Sequence, residues 1–138
     1  MADYSITAAN VLSSSTGVRE NGVAGVAITA GQAVYKDASD SGKFKLADND
    51  SATAAVRSFY GIALHAASSG QPLTVHKEGP LTLGATLAVG DVVCLSSTAG
   101  GLCPSADIAA GDYNTVVGVA TSTTVVNVSP NAAGAVKV

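Results

Sequence analysis

Short apolar runs alternate with clusters of Gly, Ser, Asp and Asn along most of the chain, the pattern of strands joined by turns. Runs at 23–29, 33–36, 43–46, 58–66, 72–76, 91–95, 115–121 and 123–128 read as strands. In the run 43–46, Phe44 and Leu46 fall on one face and Lys43 and Lys45 on the other, as in a half-buried strand. The turn Asp37-Ala38-Ser39-Asp40-Ser41-Gly42 joins it to the run before, which predicts a hairpin. Residues 52–57 form the one plausible helical turn. Residues 1–22 read as an extended N-terminal arm, with Ser13-Ser14-Ser15-Thr16-Gly17 as a polar knot within it. Tyr4, Ile6, Val11 and Leu12 are its apolar residues and follow no steady period. Two readings stand side by side: a frayed terminus, or an arm that adds a strand to a neighbouring protein with those four residues as anchors.

The rest of the chain, 23–138, repeats itself. Gly31 and Gly90, Val34 and Val93, Gly42 and Gly101, and Asp48 and Asp107 each stand 59 residues apart. Each hairpin leads to a Gly-aliphatic-Ala strand, Gly61-Ile62-Ala63 and then Gly118-Val119-Ala120. Two units, about 23–78 and 82–130, are too few for a solenoid and suit one shared core. The fold class expected is therefore all-β: a compact small barrel or sandwich built from two similar β-hairpin units, with an extended N-terminal arm. The repeat sets Cys94 and Cys103 in the places of Tyr35 and Phe44. If the second hairpin turns between Thr98 and Ala99, the two cysteines face each other as a cross-strand apolar pair, and a disulfide between them is the alternative where geometry allows.

Composition supports this picture. Apolar residues are 47% of the chain but aromatics only 4%, so the core is drawn mainly from small and β-branched side chains. Charged residues are 12%, about half the usual share, which points to a surface partly covered by neighbours and hence to a homo-oligomer or a larger assembly. No run approaches the ~20 apolar residues of a membrane-spanning helix. Net charge is −3 and lysines interleave with aspartates, so neither a membrane surface nor direct nucleic-acid binding is expected. Seven of the chain's seventeen charged residues lie between Lys36 and Asp50, whereas the matching stretch 95–109 carries only Asp107. The first hairpin is thus expected to face water. The second is either covered by a subunit partner, through Leu95 and Leu102, or folded into its own core.

Candidate chemistry is thin. The stretch from Asp37 to Asp48 loosely resembles a calcium loop, but its flanks read as strands and its twelfth residue is Asp, not the longer Glu. His65 and His76 have no third metal ligand at suitable spacing. No nucleophile elbow, phosphate loop or dinucleotide fingerprint occurs. No catalytic residue, metal ligand or cofactor site is assigned, and the expectation is a protein that binds rather than catalyses.

The segment from Ala24 to Val34, Gly61-Ile62-Ala63, Val89-Gly90-Asp91-Val92-Val93 and Val117-Gly118-Val119-Ala120 resembles the head decoration, or capsid cement, proteins of tailed phages. The resemblance implies a β domain made in the host cytoplasm and seated on the outer surface of the expanded head. There it clamps neighbouring major capsid protein subunits, commonly as a trimer and in some members as a dimer or monomer. It also implies that an arm at about 2–12, with Tyr4, Ile6, Val11 and Leu12, runs along the capsid. The alternative is a phage tail or fibre-base structural protein, or a receptor- or carbohydrate-binding β module; the scarcity of aromatics weighs against a sugar platform.

Overall fold

The structure, a computed structural model, describes residues 3–136 and the side chains of residues 3–131. It is nearly all-β, a curled antiparallel sheet. Ten strands are defined: β1 (Leu12–Ser13), β2 (Val18–Val23), β3 (Ala33–Asp37), β4 (Lys43–Leu46), β5 (Gly61–Ala63), β6 (Pro72–Thr82), β7 (Val92–Leu95), β8 (Leu102–Pro104), β9 (Tyr113–Ala120) and β10 (Val125–Val136). The main path runs β4-β3-β5-β6-β10-β9-β7-β8, and β1 and β2 add to β6. From either end inward the order is the same, a hairpin, a third strand and a long fourth, although β5 is short and β9 is not, so the two halves meet where β6 pairs with β10.

The repeated glycines explain themselves here. Gly61 lies opposite Val34, and Gly118 opposite Val93. A Cβ on Gly118 would run into the backbone carbonyl of Asn127, and one on Gly61 would sit 3.0 Å from the carbonyl oxygen of His76. Only glycine lets the neighbouring strand come this close.

The hairpins nevertheless differ in register. Tyr35 pairs with Lys45 and Lys36 with Phe44, so the two aromatics point to opposite faces of their hairpin, while Cys94 pairs directly with Cys103, as expected for a turn between Thr98 and Ala99. A one-residue difference reverses the faces of a strand. Val34 accordingly faces a cluster with Phe44, Ala63, Leu73 and Val75, whereas Val93 faces the main core with Leu95, Leu102, Val117 and Val126. The uniform offset of 59 therefore aligns the glycines but not the inward-facing side chains of β3 and β7.

Several boundaries move. The strand expected at 23–29 is replaced by β2 at 18–23, which lies largely within the expected arm. Ala24 and Ile28 instead turn inward and cap the cluster around Phe44. The Gly25 N–H reaches the Phe44 carbonyl and brings the chain beyond β2 round to β4. The run 58–66 contributes only Gly61–Ala63 to the sheet. Residues 52–57 make turns, with N–H groups of Val56 and Arg57 bonded to the carbonyls of Thr53 and Ala54. Together with a bond from the Ser58 N–H to the Ala55 carbonyl, these make three successive short turns, which stop short of a helix.

The halves are stitched by polar groups. Asn49, fully buried, donates from Nδ2 to the Leu95 carbonyl at 2.9 Å and from its backbone to Ser96, and accepts from the Tyr113 N–H. Ala33 donates to the Gly100 carbonyl and Gly100 to that of Ala47.

Candidate functional site

The N-terminal segment is not extended away from the domain; it is a strap over it. Its sequence dictates this, because apolar residues joined to an open core gain more by covering it than by standing in water. Val11 is 5% exposed within the main core, and Tyr4 and Ile6 pack against the same cluster. Tyr4 donates its backbone N–H to Leu102 and its hydroxyl to Asp91 at 2.8 Å, and Ser96 Oγ donates to Asp3 at 3.1 Å. Thr7 donates to the Gly84 carbonyl, and β1 then pairs with the end of β6. Burial and the Asp91 carboxylate both raise the Tyr4 pKa, which keeps the phenol a donor. Of the four anchors expected to grip a partner, three face this chain's own core. Leu12, 63% exposed, is the one that points out.

The strap ends on a histidine. His76 is fully buried; its Nε2 lies 2.9 Å from the Gly79 carbonyl and its Nδ1 2.8 Å from Ser13 Oγ. A carbonyl can only accept, so Nε2 carries the proton and Nδ1 accepts from the Ser13 hydroxyl. Desolvation and Arg19 hold the imidazole neutral, its pKa below the ordinary value. Gly17 is required beside it, since a Cβ there would collide with the ring. Sequence spacing alone could not find this contact, which joins residues 63 apart.

The subunit interface expected at Leu95 and Leu102 is corrected. Both are fully buried in the chain's own core, so no partner can touch them. Six residues separate the paired ends of that hairpin, and its loop folds onto the first unit rather than outward.

The calcium-like stretch is closed by lysines. Asp37 accepts from Ser39 and from Lys45 at 2.8 Å, which lowers its pKa to about 2, while Asp40 pairs with Lys45 and Lys43. Asp48 instead accepts from the Asp50 N–H, away from that network. Burial, then Asp50 and Asp112, push the Asp48 carboxyl up to about 6. Among the described residues no group of three or more His, Cys, Asp or Glu could hold a metal ion. Nearby, Glu20 accepts from Lys36, Lys77 and the Tyr60 hydroxyl, and both ammonium groups stand over the Tyr60 ring within 5 Å (4.9 and 4.7 Å). The cysteine pair is buried, and burial pushes the Cys94 thiol up to about 11, so its nucleophilic thiolate is suppressed.

Among the described residues, two adjoining uncharged surfaces meet at Thr82. One is a groove of about 560 Å³ beside the strap, lined by Ser5, Thr7, Asn10, Leu12, Thr82 and Thr124. The other is the solvent face of the sheet across β6, β10, β9 and β7. Direct pairing sets Thr82 beside Val125, Pro80 beside Asn127, Asn127 beside Val119 and Val119 beside Val92, so all six side chains share one face. The alternation in Val125-Val126-Asn127-Val128 carries the signal for it, while the irregular register between Val116 and Gly118 breaks the alternation on β9.

Comparison with family models, with characterised proteins and with solved structures finds no match. Fold and surface define the class: a nearly all-β body with an N-terminal strap and two uncharged surfaces. No helix among the described residues is long and apolar enough to cross a membrane.

Proposed function

We propose that this chain is a structural decoration, or cement, protein of a tailed-phage head, bound to the outer surface of the expanded shell and stabilising contacts between major capsid protein subunits. The observation that carries the reading is the strap. It is fastened along the body, turns Leu12 outward, and borders an uncharged groove lined by Leu12 and small polar side chains. The residues that resemble cement proteins form the framework beneath it. Leu12 and the groove are the capsid contact in this reading, with Tyr4, Ile6 and Val11 holding the strap in place. Such a protein works by mass action: it binds the expanded shell, lowers that state's free energy, and sums many weak contacts over a repeating lattice. Trimers at local threefold positions are the favoured arrangement on the shell.

The test is co-sedimentation of the purified protein with expanded, undecorated heads. Saturable binding at a fixed ratio to the major capsid protein, with heads made more resistant to heat, supports the reading. A well-folded protein that stays in the supernatant rejects it and favours the tail or receptor-binding module.

A further inference from the structure

The last side-chain bonds of the strap converge on one titratable ring. His76 is fully buried; its Nε2–H is spent on the Gly79 carbonyl, and its Nδ1 takes the Ser13 hydroxyl proton. The same Ser13 oxygen accepts from the Arg19 guanidinium at 3.3 Å, and that guanidinium also reaches the Ser14 carbonyl at 3.3 Å. Gly17 closes the turn over the ring, its N–H bonded to the Ser14 carbonyl at 3.2 Å. It lies so near that even a Cβ would strike the imidazole. β1 begins beside this point, with Ser13 opposite Leu81 and Leu12 opposite Thr82. The charged groups around the ring are few. Arg19 lies opposite it on β2, while Ile62, opposite on β5, is apolar. On β6 itself Lys77 turns to Glu20, and Glu78 is exposed. Glu20 is taken up by Lys36, Lys77 and the Tyr60 hydroxyl. Among the described residues no carboxylate pairs with the imidazole.

We propose that His76 is an acid-operated latch, whose protonation frees residues 12–17 from β6 while the rest of the body stays folded. A proton on Nδ1 turns an acceptor into a donor aimed at the Ser13 oxygen. That oxygen then faces two cations, imidazolium and guanidinium. Its own proton can turn only to the Ser14 carbonyl, 3.4 Å away and already serving Arg19. A charged ring held out of water without a counter-charge is costly, and opening the turn above it is the shortest way to hydrate it. The sign follows from the same geometry. Burial first, and Arg19 with it, hold the docked ring below the ordinary histidine pKa. Opening therefore grows as pH falls below ~6.5 and levels off once the docked ring itself takes the proton. Leu12, next to the latch, is released with it, while Tyr4, Ile6 and Val11 keep their own hold on the core. The latch is a property of the free chain and does not rest on the shell-binding reading.

The experiment is hydrogen exchange of the full chain between pH 8 and pH 4.5, corrected for the intrinsic pH dependence of exchange, with the His76 ring nitrogens followed by NMR. The ring should carry its proton on Nε2 at pH 8 and titrate below the ordinary histidine range. Opening of residues 12–17 should rise about tenfold or more between pH 7 and pH 5, while β9 stays protected. Arg19→Gln, at an exposed position, removes the second cation and should cut that rise about threefold. His65→Gln, which replaces the chain's other histidine, should leave the rise in place. Opening that does not change with pH, a His76 titration in the ordinary range, or a rise that Arg19→Gln leaves whole overturns the proposal. Because heads are absent, none of these results bears on shell binding, and co-sedimentation tests that reading separately.

Discussion

Val11 and Leu12 are neighbours in sequence with similar side chains, and the strap makes opposite predictions for them. Val11 is 5% exposed, Leu12 63%. Val11→Ala removes two buried methyl-sized groups, about 0.8 kcal/mol each in transfer free energy, and adds a cavity cost of ~24 cal/mol per Å³ left unfilled. The expected loss is about 2 kcal/mol. Leu12→Ala touches a largely solvated side chain and should stay within ~0.5 kcal/mol. In a domain of this size ~1 kcal/mol moves the melting midpoint by about 3–4 °C, so Val11→Ala should melt roughly 7 °C lower and Leu12→Ala almost unchanged. Urea titration followed by far-ultraviolet circular dichroism measures both, and hydrogen exchange at residues 3–13 should rise in Val11→Ala. An arm that merely frays would make the two substitutions equally harmless. A larger loss at Leu12 than at Val11 would refute the strap.

Three further outcomes follow from the fold. Gly118→Ala drives a Cβ into the Asn127 carbonyl and should cost about 3 kcal/mol in urea unfolding, whereas Gly111→Ala meets nothing within 4 Å and pays only the ~1–2 kcal/mol of its positive φ. Equal costs would show that close strand approach does not govern the repeated glycine. Asp48, with its folded pKa raised to about 6 by burial first and then by Asp50 and Asp112, opposes folding increasingly as pH rises from about 4 to 6. Asp48→Asn should therefore stabilise by up to ~1 kcal/mol at pH 8, after allowance for solvent screening, and not at pH 3.5; a pH-independent gain contradicts the assignment. Glu20, lowered to about 2 chiefly by Lys36 and Tyr60, contributes stability above its ordinary range that is lost as pH falls toward 2. Glu20→Gln should lower the thermal midpoint at pH 7 and leave it unchanged at pH 2.

Much of the body is legible in the chain because the signals are local. Phe44 and Leu46 against Lys43 and Lys45, the glycine-ended turn, and the facing cysteines all depend on periods and turns of a few residues. What the sequence withheld depends on parity and on distant partners. Nothing in residues 37–43 or 95–102 states that one hairpin pairs a register apart from the other, so the inward faces of β3 and β7 could not be matched by alignment. The same limit applies to Leu95 and Leu102, where low local charge signals burial but not whether the cover is this chain or another. Likewise, Val11 and Leu12 read alike until β6 fixes which side of the strap faces the core. The His76–Ser13 contact joins β6 to β1 and has no local signature.

The strap also sets a thermodynamic condition on shell binding. If Tyr4, Ile6 and Val11 must leave the core to grip the capsid, the apparent affinity falls by the fraction of molecules with the strap released. Weakening the docked strap would then strengthen binding. Val11→Ala, by removing about 2 kcal/mol from docking, would raise shell affinity up to ~30-fold, since ~1.4 kcal/mol is a factor of ten. If the strap stays docked and binding uses Leu12 and the groove, Val11→Ala should leave shell affinity within about twofold while Leu12→Glu weakens it by tenfold or more. The second pattern is expected, because it needs no exposure of a core that holds Leu81, Leu83 and Leu102 fully buried. A tenfold gain in Val11→Ala would instead return the three inward residues to the capsid contact.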